Sequence, residues 1–173
     1  MLLFAACATP QASRRIESSV TALDYNSISS TYEKRPTFAE LHNVAGKNVL
    51  ELKMNSYGTR DIWVVFHQDH VAEYLSAIDK FEEWRKIATE RKEMISKEIS
   101  KVSAYGGATL VFTFHAAAQD RFLLQITVGS TGLLGTIPID RGMMFDSSEL
   151  EALRAMLRKL PSEVVNSPDG IYK

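Results

Sequence analysis

Between Gly58 and Gly106 the chain contains neither glycine nor proline, and most of this stretch has the spacing of an amphipathic helix. Large apolar residues recur every three or four positions, which places them on one helical face. The pattern predicts a helix from His70 to Lys101. We expect a break or a projection near residues 89–92, where no large apolar side chain occurs. A helix of this length must dominate a small domain, and the other elements must pack around it.

Strand patterns lie on both sides of the predicted helix. Apolar and polar residues alternate in several short segments, which is typical of strands with one buried face. These segments are residues 49–54, 62–67, 109–115, 122–128 and 133–139. A last helix begins after Asp146, where Asp-Ser-Ser-Glu resembles a capping box, and it ends before Pro161.

These elements predict an α+β fold. It has an antiparallel sheet of about five strands in the order ββα-βββα, with the long amphipathic helix and the C-terminal helix packed on one face. We expect residues 47–173 to form a single domain. Residues 8–46 have weak periodicity and are expected to be a tether and a poorly defined N-terminal segment, with a short helix at residues 16–23 and a helical turn at residues 38–41.

Charge and cysteine content narrow the classes of function. Twenty basic and 21 acidic residues leave a formal charge of -1, without the basic excess typical of general nucleic-acid binders. A single cysteine allows no intramolecular disulfide, so the core must hold the fold. No apolar run is long enough to cross a bilayer as a helix.

The cysteine itself follows a short apolar run, Leu2-Leu3-Phe4-Ala5-Ala6-Cys7. Two small residues before a cysteine, preceded by large apolar ones, resemble the lipobox of bacterial lipoproteins. The resemblance implies that the Cys7 thiol carries a diacylglycerol and that residues 1–7 are the remnant of a lipoprotein signal. It also implies a lipid-anchored protein of the cell envelope, on the periplasmic or outer-membrane side; a cytoplasmic location is the alternative.

The sheet face turned away from the helices is expected to be partly open to water and to bind a ligand, a protein partner or a second copy of the chain. Its candidate residues are Trp63, Val65, Val111, His115 and Gln125.

Sequence motifs for chemistry are sparse. His67, His70 and His115 fall at strand or helix ends and are the candidate metal ligands, but no accompanying ligand pattern supports a metal, so we expect neither a metal site nor a cofactor. The chain contains no Gly-x-Ser-x-Gly motif, and we assign no catalytic residue.

The sequence therefore favours a non-catalytic envelope lipoprotein with a binding or scaffolding role. Two alternatives stay open, an enzyme of unidentified type and an intracellular module that binds single-stranded nucleic acid. In the second, Trp63, Phe66, Phe112 and Phe114 would form a stacking platform for bases. Its near-neutral charge argues against it, because phosphate contacts dominate such binding.

Overall fold

The computed structural model describes residues 12–57, 60–132, 135–138 and 142–165. Over these residues the chain is α+β, with two antiparallel sheets and two α-helices. In chain order the strands are β1 (Ala12–Ile16), β2 (Leu23–Asn26), β3 (Thr31–Lys34), β4 (Thr37–Val44), β5 (Lys47–Met54), β6 (Ile62–His67), β7 (Lys97–Ser103), β8 (Thr109–Ala118), β9 (Arg121–Gly132), β10 (Gly135–Pro138) and β11 (Met143–Phe145). The helices are α1 (Val71–Arg91) and α2 (Ser147–Lys159), and single helical turns cover Gln68–His70, Tyr105–Gly107 and Leu160–Ser162.

The strands form two sheets, so the prediction of a single sheet of about five strands was wrong. The small sheet has the order β1-β4-β5-β6. The large sheet has the order β3-β2-β11-β9-β8-β7, and β10 pairs with β9. The strands predicted at residues 49–54 and 62–67 lie in β5 and β6, which pair as a hairpin, and β8 with β9 contain the next two predicted strands. The N-terminal third adds strands to both sheets, β1 and β4 to the small one and β2 and β3 to the large one.

One face of each sheet lines a common core together with both helices. From the small sheet come Leu41, Leu50, Leu52, Val64 and Phe66, and from the large sheet Leu110, Phe112, Phe114, Leu124 and Phe145. Tyr74 of α1 joins the two sheets. Its hydroxyl donates to the Ser103 carbonyl at 2.6 Å and accepts from the His67 N–H at 3.3 Å, and burial raises its pKa to about 12.

The helix α1 ends at Arg91, where the predicted long helix breaks. Lys92 adopts the left-handed conformation, with φ 53°, and its N–H closes the last turn. The predicted break is confirmed, but the predicted helical second half is wrong. Residues 97–103 form β7 instead, an edge strand paired with β8. Pairing across the sheet outweighs local helical spacing here.

The N-terminal segment belongs to the folded domain from Ala12 onward. The helix expected at residues 16–23 is absent: β1 ends at Ile16 and β2 begins at Leu23. The helical turn expected at residues 38–41 lies within β4, which pairs with β5 along its length. The strands β1, β2 and β3 have only four or five residues each, which explains the weak periodicity of this part of the sequence.

The hairpin of β2 and β3 folds across the outer face of the large sheet. In strand order β3 lies four strands from β8, which corresponds to about 19 Å in a flat sheet. Yet the Tyr32 hydroxyl on β3 lies 2.6 Å from His115 Nε2 on β8. Only the pair Met144 and Leu23 joins β11 to β2 among the described residues, so the sheet can bend sharply there.

The helix α2 begins as the sequence predicts. The Asp146 carboxylate accepts hydrogen bonds from the N–H groups of Ser148 and Glu149. Glu149, predicted to complete a capping box, instead accepts from the Thr21 N–H at 2.8 Å and from Lys34 Nζ at 2.6 Å. It thereby fastens the β2–β3 hairpin to α2.

Within the described ranges, neither helix combines the length and the apolar character that a bilayer crossing requires.

Candidate binding surface

The outer face of the small sheet presents an ordered set of aromatic and charged side chains. Its cross-strand partners form three rows, because paired residues in an antiparallel sheet point to the same side. The first row is Phe38, Lys53 and Trp63; the second is Arg15, Glu40, Glu51 and Val65; the third is Ser13, His42, Val49 and His67. We call these rows the small-sheet face.

Two aromatic rings of the first row are open to solvent. Trp63 is 44% exposed and Phe38 is 38% exposed. Lys53 lies between them, with Nζ 5.6 Å from the Trp63 ring centroid and 2.9 Å from an Asp61 carboxylate oxygen. The Arg15 guanidinium lies 4.4 Å from the Phe38 centroid. The row is therefore a flat aromatic strip held in place by cations.

Two carboxylates stand opposite each other in the second row. Like charges on directly paired residues destabilise a sheet, so Glu40 and Glu51 gain nothing for the fold from this placement. His42 Nε2 lies 3.7 Å from a Glu51 carboxylate oxygen but makes no hydrogen bond within the described part of the chain. The His42 Nε2 atom is itself buried, whereas the Glu40 and Glu51 side chains line a depression that a ligand can enter.

The first two rows border a shallow depression of about 560 Å³. It is lined by Arg15, Phe38, Ala39, Glu40, Glu51, Lys53, Asn55 and Asp61. Both hydrogen-bond donors and acceptors surround the Phe38 ring, so the depression suits a ligand with many polar groups and a flat apolar side.

The predicted ligand residues divide between two surfaces. Trp63 and Val65 lie on the small-sheet face, whereas Val111, His115 and Gln125 lie on the outer face of the large sheet. Val111 is only 5% exposed. The structure thus does not bring these five residues together on one face.

His115 has a structural setting of its own. Its Nε2 pairs with the Tyr32 hydroxyl, and its Nδ1 lies 3.2 Å from the Ser96 hydroxyl. Burial lowers the pKa of His115 and raises the pKa of Tyr32. A neutral imidazole that donates to one hydroxyl and accepts from the other links the hairpin to the loop before β7.

The candidate metal ligands do not converge. The ring centroids of His67 and His70 are 6.1 Å apart, and His67 stacks on Tyr105, just before β8 begins. His115 lies towards the opposite end of β8. Among the described residues no group of three or more histidine, cysteine, aspartate or glutamate side chains is arranged to hold a metal ion.

The stacking platform considered for nucleic acid is also divided. Phe66, Phe112 and Phe114 are fully buried in the core, and Trp63 alone of the four aromatic residues reaches solvent. Cys7 lies outside the described residues.

Sequence reasoning missed Arg15, Phe38 and Glu40, because it assigned residues 8–46 to a tether and residues 38–41 to a helical turn. The alternation of Phe38, Glu40 and His42 with buried Ala39 and Leu41 was the available signal.

Comparison with protein-family models, curated proteins and solved structures finds no match to this chain. The function is therefore inferred from the chemistry of the small-sheet face itself.

Proposed function

We propose that this chain is a non-catalytic lipoprotein of the bacterial cell envelope, anchored through a lipid on Cys7, that binds a neutral glycan on its small-sheet face. The observation that carries the binding proposal is the row of Phe38, Lys53 and Trp63, in which two exposed rings are in register on β4 and β6, on either side of β5.

The chemistry of the face fits a sugar chain. An exposed aromatic ring offers a flat apolar surface to the C–H face of a pyranose, while the edge of the ring stays in contact with water. Glu40, Glu51 and Asp61 can accept hydrogen bonds from sugar hydroxyls, and Arg15 and Lys53 can donate to them. Charges of both signs alternate on the face, which favours a neutral ligand over a strongly anionic or cationic one.

The shape of the face supports binding rather than catalysis. Its side chains stand on an open sheet, not in a cleft, and enzymes gain much of their rate enhancement in sites that exclude water. A sheet face binds without such closure, provided that its contact groups are held in place by their strands.

Intrinsic fluorescence can test the glycan. Trp63 and Trp84 are the two tryptophans of the chain, so Trp84→Phe leaves Trp63 as the sole reporter. We expect chitohexaose to shift Trp63 emission. We also expect isothermal titration calorimetry to give a dissociation constant that W63A and F38A each raise about tenfold, the scale of one lost aromatic contact. Tyr105→Ala, which removes a similarly exposed ring elsewhere, is the matched control.

If chitohexaose and a neutral glucan both leave the spectrum unchanged, or if Y105A weakens binding as much as W63A does, the glycan proposal is wrong.

The anchor is tested separately on Cys7. We expect mass spectrometry of the protein from its native membranes to find the mass of a diacylglycerol on Cys7, and we expect the Cys7→Ser protein to leave the membrane fraction when the membranes are washed at high salt. A native protein with a free Cys7 thiol would refute the anchor without touching the glycan result.

A further inference from the structure

A second surface lies at the far end of α1. It consists of Trp84, Ile87, Ala88, Arg91, Glu93, Met94, Ile95 and Lys97, and we call it the Trp84 surface. Its apolar side chains are unusually open: Met94 is 61% exposed, Ile95 39% and Ile87 38%. A shallow depression of about 260 Å³ lies between the helix and the strand β7.

The tryptophan of this surface is held between the core and two cations. Its ring stands edge-on to Phe114 at 6.1 Å. Lys80 Nζ lies 5.3 Å and Lys97 Nζ lies 5.5 Å from its centroid. Long lysine stems that lie along an aromatic ring keep their ammonium groups at the edge of an apolar patch.

The surroundings are positively charged, although the whole chain carries -1. Residues 80–98 include six cations and five carboxylates, and three of the carboxylates are in ion pairs: Glu82 with Arg85, Glu93 with Arg91 and Glu98 with Lys101. In the described part of the chain this leaves four unpaired cations, Lys80, Lys86, Lys92 and Lys97, against two unpaired carboxylates, Glu83 and Glu90. The local excess of positive charge calls for an anionic partner.

The loop of residues 92–96, between α1 and β7, is fixed in position. The Ala116 N–H donates to the Ile95 carbonyl at 3.1 Å and lies 3.3 Å from the Ser96 hydroxyl, which ties the loop to β8. Lys92 turns the chain out of the helix in the left-handed conformation. Met94 is therefore presented by a supported turn and not by a loose end.

From these contacts we infer that the Trp84 surface docks onto an anionic lipid bilayer. Protruding apolar side chains surrounded by lysine and arginine are the pattern of membrane-surface contacts, in which the apolar groups enter the headgroup boundary. A stable protein interface needs about 800 Å² from each partner, far more than three partly exposed side chains offer. The inference rests on the proposed function and deepens it. A lipid on Cys7 would hold the chain at the membrane, and the Trp84 surface would give the folded domain a second contact with the same bilayer.

The test uses the full chain without its lipid, as the Cys7→Ser protein, mixed with vesicles. One set contains phosphatidylcholine alone, and the other also contains phosphatidylglycerol. We expect co-sedimentation with the anionic vesicles only, lost at high salt, and a blue shift of Trp84 emission in the Trp63→Phe background.

Substitutions separate the apolar contribution to membrane binding from the electrostatic one. We expect M94S combined with I95S to lower the partition coefficient by about tenfold, and K86Q or K97Q to lower it by about fivefold. Val164→Ser and Lys159→Gln remove an exposed apolar and an exposed cationic residue elsewhere and should leave partitioning unchanged. Unchanged thermal unfolding of each variant verifies that the fold is intact.

Failure to bind anionic vesicles overturns the inference, as does equal binding to both kinds of vesicle. Binding to polyglutamate but not to vesicles would likewise overturn it and indicate an acidic protein partner. Because the protein tested carries no lipid, a free Cys7 in the native protein refutes the anchor alone. A negative vesicle result with a lipidated native protein refutes only the docking.

Discussion

The strands of both sheets have similar alternating sequence patterns. Their outer faces nevertheless differ in the folded chain, because one is largely covered and the other is open to solvent at its aromatic row. On the small sheet, Trp63 and Phe38 remain open to solvent. On the large sheet, Leu123 is fully buried and Thr127 is 5% exposed, although neither belongs to the common core. On the large sheet the β2–β3 hairpin reaches the outer face at His115, and the chain before β11 lies against Thr127 at Gly142, whereas the aromatic row of the small-sheet face stays open. Alternation in a strand thus tells which residues share a face, but not whether that face is covered.

The strongest test of this difference between the two faces is to truncate a side chain on the covered face of the large sheet. We expect Leu123→Ala to lower the free energy of unfolding by about 2–5 kcal/mol, because a fully buried leucine leaves a cavity. Urea unfolding at equilibrium measures it. A loss below that range would mean that the hairpin closes over the gap and that the second face is packed only loosely.

A smaller effect is expected where the chain enters β11. A Cβ added to Gly142 would lie 2.7 Å from Thr127 Oγ1 and 2.8 Å from the Ile126 carbonyl oxygen. Because the backbone of β9 cannot move aside freely, we expect Gly142→Ala to cost about 1–3 kcal/mol. Thermal unfolding tests this, and an unchanged midpoint would show that β11 shifts without cost.

His115, on the outer face of the large sheet, should make the free energy of unfolding depend on pH. The folded state keeps His115 neutral, because burial lowers its pKa, whereas the unfolded chain takes up a proton below a pH of about 6.5. Stability from this group is therefore complete above that pH and falls as the pH drops through and below it. We expect H115N to flatten this part of the profile of unfolding free energy against pH. An unaltered slope in H115N would exclude His115 as its source.

The smallest change in stability is expected on the open face. Trp63→Ala should cost less than about 1 kcal/mol, a value set by strand preference rather than by a cavity. Measured beside L123A in the same urea series, it completes the comparison. A cost of several kcal/mol would show that the small-sheet face is covered in solution, for example by a second copy of the chain.

The parts of the fold that sequence predicts are those in which the local pattern and the tertiary contacts agree. The hairpin β5–β6 has alternating residues that pair with their neighbours in sequence, and α2 has both a cap and an apolar face. The strand β7 shows the opposite case. Its apolar residues Ile99 and Val102 are three positions apart, which fits a helix.

A bulge explains that spacing. The register with β8 shifts between Glu98 and Ser100, so Ile99 is an extra residue in the strand. Only the distant partner β8 decides this, and no local pattern reveals it. The candidate site shares the problem: Trp63 was visible from its own strand, whereas Phe38 joins its row only through the pairing of β4 with β5.

The early start of β1 would limit how far a domain anchored through Cys7 could move from a membrane. Ala12 is already paired in the small sheet, and Cys7 precedes it by five residues. A fully extended chain of five residues spans at most about 17 Å. The helix α1, at 21 residues, is itself about 32 Å long. A lipid on Cys7 would therefore hold the start of β1 within a distance of the bilayer that is shorter than α1 itself.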